Sequence, residues 1–350
     1  MSHDLSRNRD GEYEMFCVGD RNAAWHKLGQ RTPNAVTWQR AVELAKLDWS
    51  VVKKQLYARN PLGVVTACPV FGTFRTDNGA FLGSVGEAYQ IIQNKDQFTF
   101  VDAFLEAANG AHYETAGALG NGERVWCLAR IPEGDYEIDG GDKHKTYIMA
   151  ANAHDGSLSY LMKLVDERVV CANTFAVAMG ESGAAWKVKH TANAKQRLDI
   201  GLQVMRNVKK QAIGLKDKML KLADRKLTRE SVEHVLDRLF PKSKDEKANQ
   251  TRRDGTLSEV LSLYEANDNN AYASVKGTAY NLLNAVTEYA DHFRTARGNG
   301  SQPQQVAMAR AESALFGSGE RLKTQALQVI LEEVDQDTVD AGIADLDINL

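Results

Sequence analysis

Residues 152–174 read NAHDGSLSYLMKLVDERVVCANT, and the fold turns on this stretch. His154, Asp155, Gly156 and Ser157 form a turn, since Asp-Gly-Ser is ordinary turn chemistry. Tyr147 to Ala153 reads as the strand before that turn. Leu158 to Val170 reads as the strand after it, with charge at its margins. Cys171, Asn173 and Thr174 follow at once, and beyond Ala172 the apolar spacing becomes helical. The stretch therefore ends a sheet region and begins a helical one. An echo at 186–191, WKVKHT, alternates Trp186 and Val188 with Lys187 and Lys189 and ends on His190 and Thr191. It reads as a short basic strand.

Upstream, the chain is a series of hairpins. Thr37 is a candidate N-cap for a helix over Trp38 to Leu47. Trp49 to Arg59 alternates, with Lys53, Gln55, Tyr57 and Arg59 on one face. Asn60-Pro61-Leu62-Gly63 is a turn, and Val64 to Thr76 is the returning strand. Asp77-Asn78-Gly79 and Asn121-Gly122 are further hairpin turns, because Asn-Gly accepts positive φ. Val85 to Gly110 reads as helical at both ends around a polar middle, Gln93 to Gln97. Arg124 to Ile131 is apolar enough for a central strand. Downstream, Thr191 to Ala223 reads as a long amphipathic helix, Thr228 to Phe240 as a second and Tyr272 to Phe293 as a third. Two more are expected near 304–316 and 318–333.

The fold class expected is α+β: a hairpin-rich antiparallel sheet with packed helices, followed by an all-helical C-terminal region. The expected divisions are a flexible N-terminus at 1–14, an α+β core at 15–190 and a helical domain at 191–333. A charged linker is expected near 241–255, and an acidic disordered tail at 334–350.

The chain has 350 residues, is 43% hydrophobic and carries a formal charge of −3, so any nucleic-acid signal must be local. There is no apolar run long enough for a transmembrane helix, and the N-terminus lacks the apolar core of a signal peptide. The four cysteines, Cys17, Cys68, Cys127 and Cys171, are far apart without a CxxC, which favours reduced thiols over disulfides or zinc. No P-loop, GxGxxG, HExxH or GxSxG motif is present. No metal and no cofactor are expected.

Two constellations remain. His154, Asp155, Cys171 and His190 form an alternative catalytic set of Cys–His type, acting on a nucleotide or small molecule. Asp-Gly-Ser is equally a plain turn, Cys171 after two valines suits a buried thiol, and Asn173 and Thr174 suit a helix cap. The second constellation is basic and aromatic. Lys53, Lys54, Tyr57, Arg59, Arg75, Arg168, Trp186, Lys187, Lys189, His190, Lys195, Arg197, Arg206, Lys209 and Lys210 are candidate nucleic-acid contacts. Trp25, Tyr57 and Trp186 are candidate stacking platforms. Cations that track phosphates beside rings that stack bases are what a single strand needs. Lysines on an amphipathic helix are also simply its solvated face.

Several short motifs occur in one order. They are Ala24-Trp25-His26-x-Leu28-Gly29, Arg75-Thr76-Asp77, Leu82-Gly83-x-Val85-Gly86, Gln93-Asn94, His154-Asp155-Gly156-Ser157, Arg168-Val169-Val170-Cys171-x-Asn173-Thr174, His190-Thr191 and Tyr289-Ala290-Asp291-His292. Together, over about residues 15–295, they resemble the phage/plasmid-like protein family, a domain of unknown function carried on phages, plasmids and laterally transferred islands. Lys189 departs from the arginine expected before His190, though the charge is kept. In outline only, the architecture is similar to phage single-strand annealing proteins of the RecT/Redβ/Erf kind.

The resemblance implies a mobile-element context and the cytoplasm of a bacterial host cell. The function expected is ATP-independent binding and annealing of single-stranded DNA, with double-stranded DNA as a further target. A homo-oligomeric ring or filament is expected, with no membrane partner. The acidic C-terminus is expected to meet a protein partner or to serve as a solubilising tail. The alternatives are the enzyme above and a protein-binding host-takeover adaptor.

Overall fold

The computed structural model describes residues 5–19, 29–105, 110–138, 141–168, 174–177, 186–192, 208–242, 248–265, 274–294, 313 and 317–347. The fold is α+β, with antiparallel sheets first and helices gathered in the C-terminal part. It divides into two compact units. The first comprises Met1–Glu133, Thr146–Val165 and Ala178–Gln211, and the second Gly134–Lys145, Asp166–Val177 and Ala212–Leu350.

In chain order the first unit holds β1 (Met15–Val18), β2 (Gln30–Thr32), α1 (Trp38–Leu44), β3 (Val51–Arg59), β4 (Val65–Arg75), β5 (Phe81–Val85), α2 (Asn94–Leu105), β6 (His112–Leu119) and β7 (Arg124–Arg130). β8 (Tyr136–Ile138) belongs to the second unit. β9 (Asp142–Ala153) and β10 (Tyr160–Arg168) contribute to both, and β11 (Thr174–Val177) to the second. β12 (Trp186–Val188) returns to the first unit. Its main sheet runs β10-β9-β7-β6-β1-β2, with β12 on β10, and a separate sheet runs β3-β4-β5. β7 is central as expected, between β6 and β9, and its alternate residues Val125, Cys127 and Ala129 are buried. Both Asn-Gly turns lie at hairpin ends, and the Thr37 hydroxyl caps α1 by accepting from the Arg40 N–H.

Local reading failed where long-range contacts intervene. Residues 5–14, expected to be flexible, pack on the sheet: Leu5, Ser6 and Glu14 are buried, and the Ser6 N–H donates to Ala118 O. The polar run 93–97 is not a break: from Asn94 onward it is the first turn of α2. Its polar groups face inward because backbone acceptors wait there: the Asn94 amide donates to Leu47 O and Trp49 O, and the Gln97 amide to Ala150 O. Residues 86–93 lie outside any helix.

The second unit contains α3 (Val208–Asp224) from Ala212 onward, α4 (Arg229–Leu239), α5 (Ala248–Glu265), α6 (Ala279–Glu288) and α7 (Ser318–Asp347). α4 matches the expected helix, capped by Thr228. The expected Tyr272–Phe293 helix is shorter, because Gly277 at φ +76° breaks it and Thr278 starts α6 afresh. A single π turn, Tyr289–Phe293, extends it. Half of the expected linker at 241–255 is helix α5. The expected acidic tail is also corrected: α7 continues to Asp347, with Val334 buried. Glu332 pairs with Arg238 and Asp335 with Lys221, and Glu333 Oε2 lies 2.7 Å from His234 Nδ1. At Glu332 and Asp335, charge that looks unpaired in sequence is met by residues far away along the chain. Among the described residues no helix is long and apolar enough to cross a membrane.

Candidate nucleic-acid interface

The outer half of the hairpin of β3 and β4 is exposed. Every residue from Tyr57 to Ala67 is exposed, so both faces of the ribbon meet solvent. From Trp49 to Thr76 there is no aspartate or glutamate, against four cations: Lys53, Lys54, Arg59 and Arg75. A bulge separates the base from the outer half, since the register passes from Gln55↔Phe71 to Tyr57↔Ala67. The Gln55 amide fills it, donating to Cys68 O at 2.6 Å and Val70 O at 3.3 Å. Beyond it stand Tyr57 and Arg59, both exposed, with Lys54 exposed below.

The expected contacts separate here. Lys54, Tyr57 and Arg59 are presented to solvent. The Lys53 ammonium is engaged, donating to Glu87 O at 2.6 Å and Tyr89 O at 2.9 Å. Arg75 is removed from the interface altogether. It is 2% exposed, its Nη2 is 2.5 Å from Glu14 Oε1 and 2.7 Å from Asp77 Oδ2, and its guanidinium lies 4.1 Å from the Trp49 ring centroid. It fastens the N-terminal segment to the sheet. Burial opposes charge on Arg75 and Asp77, but for Arg75 the hydrogen bonds and attraction of Asp77 and Glu14 outweigh it, and for Asp77 those of Arg75 do. The guanidinium pKa is raised and the Asp77 carboxyl is held below its ordinary range.

β12 supplies the second group. Lys187 and Lys189 are exposed while Val188 and His190 between and after them are buried, the alternation of a strand with one open face. The His190 ring stacks on Tyr89 at 4.6 Å, and its Nδ1 donates to Gln90 O at 2.9 Å. The Gln90 N–H donates back to His190 O. The loop 86–90 thus ties the end of β12 to Lys53 on β3, and residues far apart in sequence share one neighbourhood. Burial lowers the His190 pKa, only partly offset by nearby carbonyls and Asp155. Of the other expected contacts, Arg168, Trp186, Lys209 and Lys210 lie on described strands or helices, but their side chains fall outside the described residues. Trp25, Cys171, Lys195, Arg197 and Arg206 lie wholly outside them.

Of the alternative catalytic set, Cys171 lies outside the described residues, while His154 and Asp155 are engaged within the fold. His154 is fully buried: its Nε2 faces Asn94 Oδ1 at 2.9 Å and its ring meets Trp49 edge-on at 5.6 Å. Burial, with the charges of His190 and Arg75, lowers its pKa to about 3. Such an imidazole is neutral and too weak a base for general catalysis near neutrality. Asp155 turns its carboxylate to its own loop, accepting from the Ser157 N–H at 2.8 Å and hydroxyl at 2.6 Å. Gly83 is required here, since a Cβ would fall 2.6 Å from that of Asp155. The Cys127 thiol is pushed up to about 12 by burial, so it is inert.

The second unit holds a polar cluster that sequence reading missed. His144 Nδ1 lies 2.6 Å from Asp166 Oδ2, and its Nε2 lies 2.6 Å from the Tyr280 hydroxyl. Tyr280 donates to Asp142 Oδ2 at 2.8 Å, and Tyr136 donates to Asp166 Oδ2 at 3.0 Å while stacking on the imidazole. All five are buried. The arrangement has the order of an acid–base relay, but no member reaches solvent. It joins β8, β9, β10 and α6 as an internal hydrogen-bonded network, in which Asp166 Oδ1 has no hydrogen-bond partner among the described residues. No local pattern flags residues whose partners are up to 138 positions distant.

The model of the family described as a domain of unknown function (DUF932) matches residues 81–315. That is more than half of the chain, which therefore belongs to this family. No curated protein and no solved structure matches it. The matched segment begins at β5, after the β3–β4 hairpin.

Proposed function

With the family itself carrying no function, we propose that the chain binds single-stranded DNA without ATP and promotes annealing or recombination for a phage or plasmid, working as a homo-oligomer in the bacterial cytoplasm. One observation carries the reading: a solvent-exposed two-stranded ribbon with cations, an exposed tyrosine and no carboxylate between Trp49 and Thr76. A polyanion is the ligand such a surface favours, because it gains from every cation and meets no opposing charge. Lys54 and Arg59 neutralise phosphates, Tyr57 offers a face for a base, and Lys187 and Lys189 extend the cationic surface. Lys53, His190 and Tyr89 hold these groups in place rather than touching the strand.

The test is the affinity for an oligothymidylate measured across a salt series. Deleting one cation that neutralises a phosphate should flatten the log–log slope by about 0.7 for a single strand. Lys54→Ala with Arg59→Ala should therefore lower the slope by roughly 1 to 1.5 and weaken binding at every sequence alike. Affinity that does not change with salt, or a slope that the double variant leaves intact, refutes the reading.

A further inference from the structure

Phosphate binding by the ribbon does not account for its far end. Leu62 is 88% exposed, and Val64 and Val65 are 56% and 54% exposed. Three neighbouring apolar side chains at the point farthest along a hairpin gain nothing for stability, since burial is what makes such residues stabilising.

The tip is also built to be stiff. The Asn60 side-chain oxygen accepts from the Leu62 N–H at 3.0 Å and the Val64 N–H at 2.9 Å. The Asn60 N–H donates to Val64 O, and the Gly63 N–H to Asn60 O. Pro61 restricts φ, and Gly63 takes φ +84°, which glycine adopts without strain. The backbone that carries Leu62 is thus held from both sides. At a strand rise of about 3.3 Å, the turn that carries the tip begins roughly 10 Å beyond Tyr57. Arg59 lies directly behind it on one strand, opposite Val65.

We propose that the Pro61-Leu62 tip is an apolar wedge that enters between base steps of duplex nucleic acid while Arg59 and Lys54 hold the flanking phosphates. The inference rests on the nucleic-acid reading above and deepens it, assigning duplex opening to a defined element. Proline and leucine are among the side chains that minor-groove binders insert to unstack a step, kinking the duplex by about 20–90°. Two-stranded ribbons are known to enter nucleic-acid grooves, and a rigid tip loses little entropy on insertion. Charge chooses among the occupants an apolar tip could have. A second copy of the ribbon would set like cations against like, with no carboxylate between Trp49 and Thr76 to relieve them. A polyphosphate backbone complements them.

The experiment uses the full chain and a short duplex with 2-aminopurine at a central TA step, read by fluorescence, with end-to-end energy transfer on a doubly labelled duplex to report bending. The wild type should raise the 2-aminopurine signal and shorten the end-to-end distance. At protein concentrations that saturate the duplex in mobility shifts, Leu62→Ser should leave both at the values of free duplex. Leu62 is almost wholly exposed, so the melting temperature of the variant should equal that of the wild type. Saturating binding with no unstacking by the wild type, or equal unstacking by the variant, overturns the wedge and leaves the binding reading standing. Absence of salt-sensitive binding to single or double strands overturns both. Sedimentation with phosphatidylcholine–phosphatidylserine vesicles that is lost in Leu62→Ser, with no effect on the duplex, overturns the wedge in favour of a lipid surface.

Discussion

The catalytic alternative turns on His154, and its protonation can be measured as stability. The imidazole has an ordinary pKa of 6.5 and is lowered to about 3 in the fold, first by burial and then by His190 and Arg75. Between those values the unfolded chain binds the proton and the folded chain does not. Stability is therefore untouched by this group above its ordinary pKa, falls as pH drops below it, and the loss is complete only below the folded value. At about 1.36 kcal/mol per unit, acidification from about pH 7 to about pH 5 should cost roughly 2 kcal/mol through His154 alone. Replacing it by glutamine keeps an N–H donor for Asn94 Oδ1 and removes the titration. Urea unfolding of the wild type and His154→Gln, each at the two pH values, isolates this contribution, because other acid-sensitive groups cancel in the double difference. The wild type should lose roughly 2 kcal/mol more than the variant. Equal losses would refute the argument. So would an NMR titration of the wild type in which all eight histidines protonate near the ordinary value, a measurement that does not depend on the variant folding.

Two further outcomes follow from the buried networks. Arg75→Leu strands Glu14 in the interior without its guanidinium and should destabilise the first unit by about 3–5 kcal/mol, whereas replacing an arginine that served only to neutralise a phosphate would leave the melting temperature nearly unchanged. Thermal unfolding separates the two. Tyr280→Phe removes the hydroxyl between His144 Nε2 and Asp142 Oδ2, and should cost about 1–3 kcal/mol in urea unfolding; a neutral result would mean that water replaces it.

Signals confined to a few residues were legible in sequence. The Asn-Gly turns, the Thr37 cap, the apolar run of β7 and the alternation of β12 depend on residues close together in the chain, so the chain carries them wherever it folds. The exposed side chains of Lys54, Tyr57, Arg59, Lys187 and Lys189 were legible for the same reason, because an exposed group needs no partner to be named. Burial was not. Arg75 has the composition of a phosphate ligand and becomes a fastener only because Glu14, 61 positions earlier, reaches it. His154 has the look of a base and is silenced by burial beside Trp49 and Asn94. Asn94 and Gln97 at the start of α2 face inward because carbonyls of other elements await them, and Glu332 and Asp335 in the middle of α7 are met by cations of α4 and α3. In each case the deciding quantity is desolvation balanced by a distant partner. Such a balance exists only once tertiary contacts form, and no window of the chain contains both of its sides.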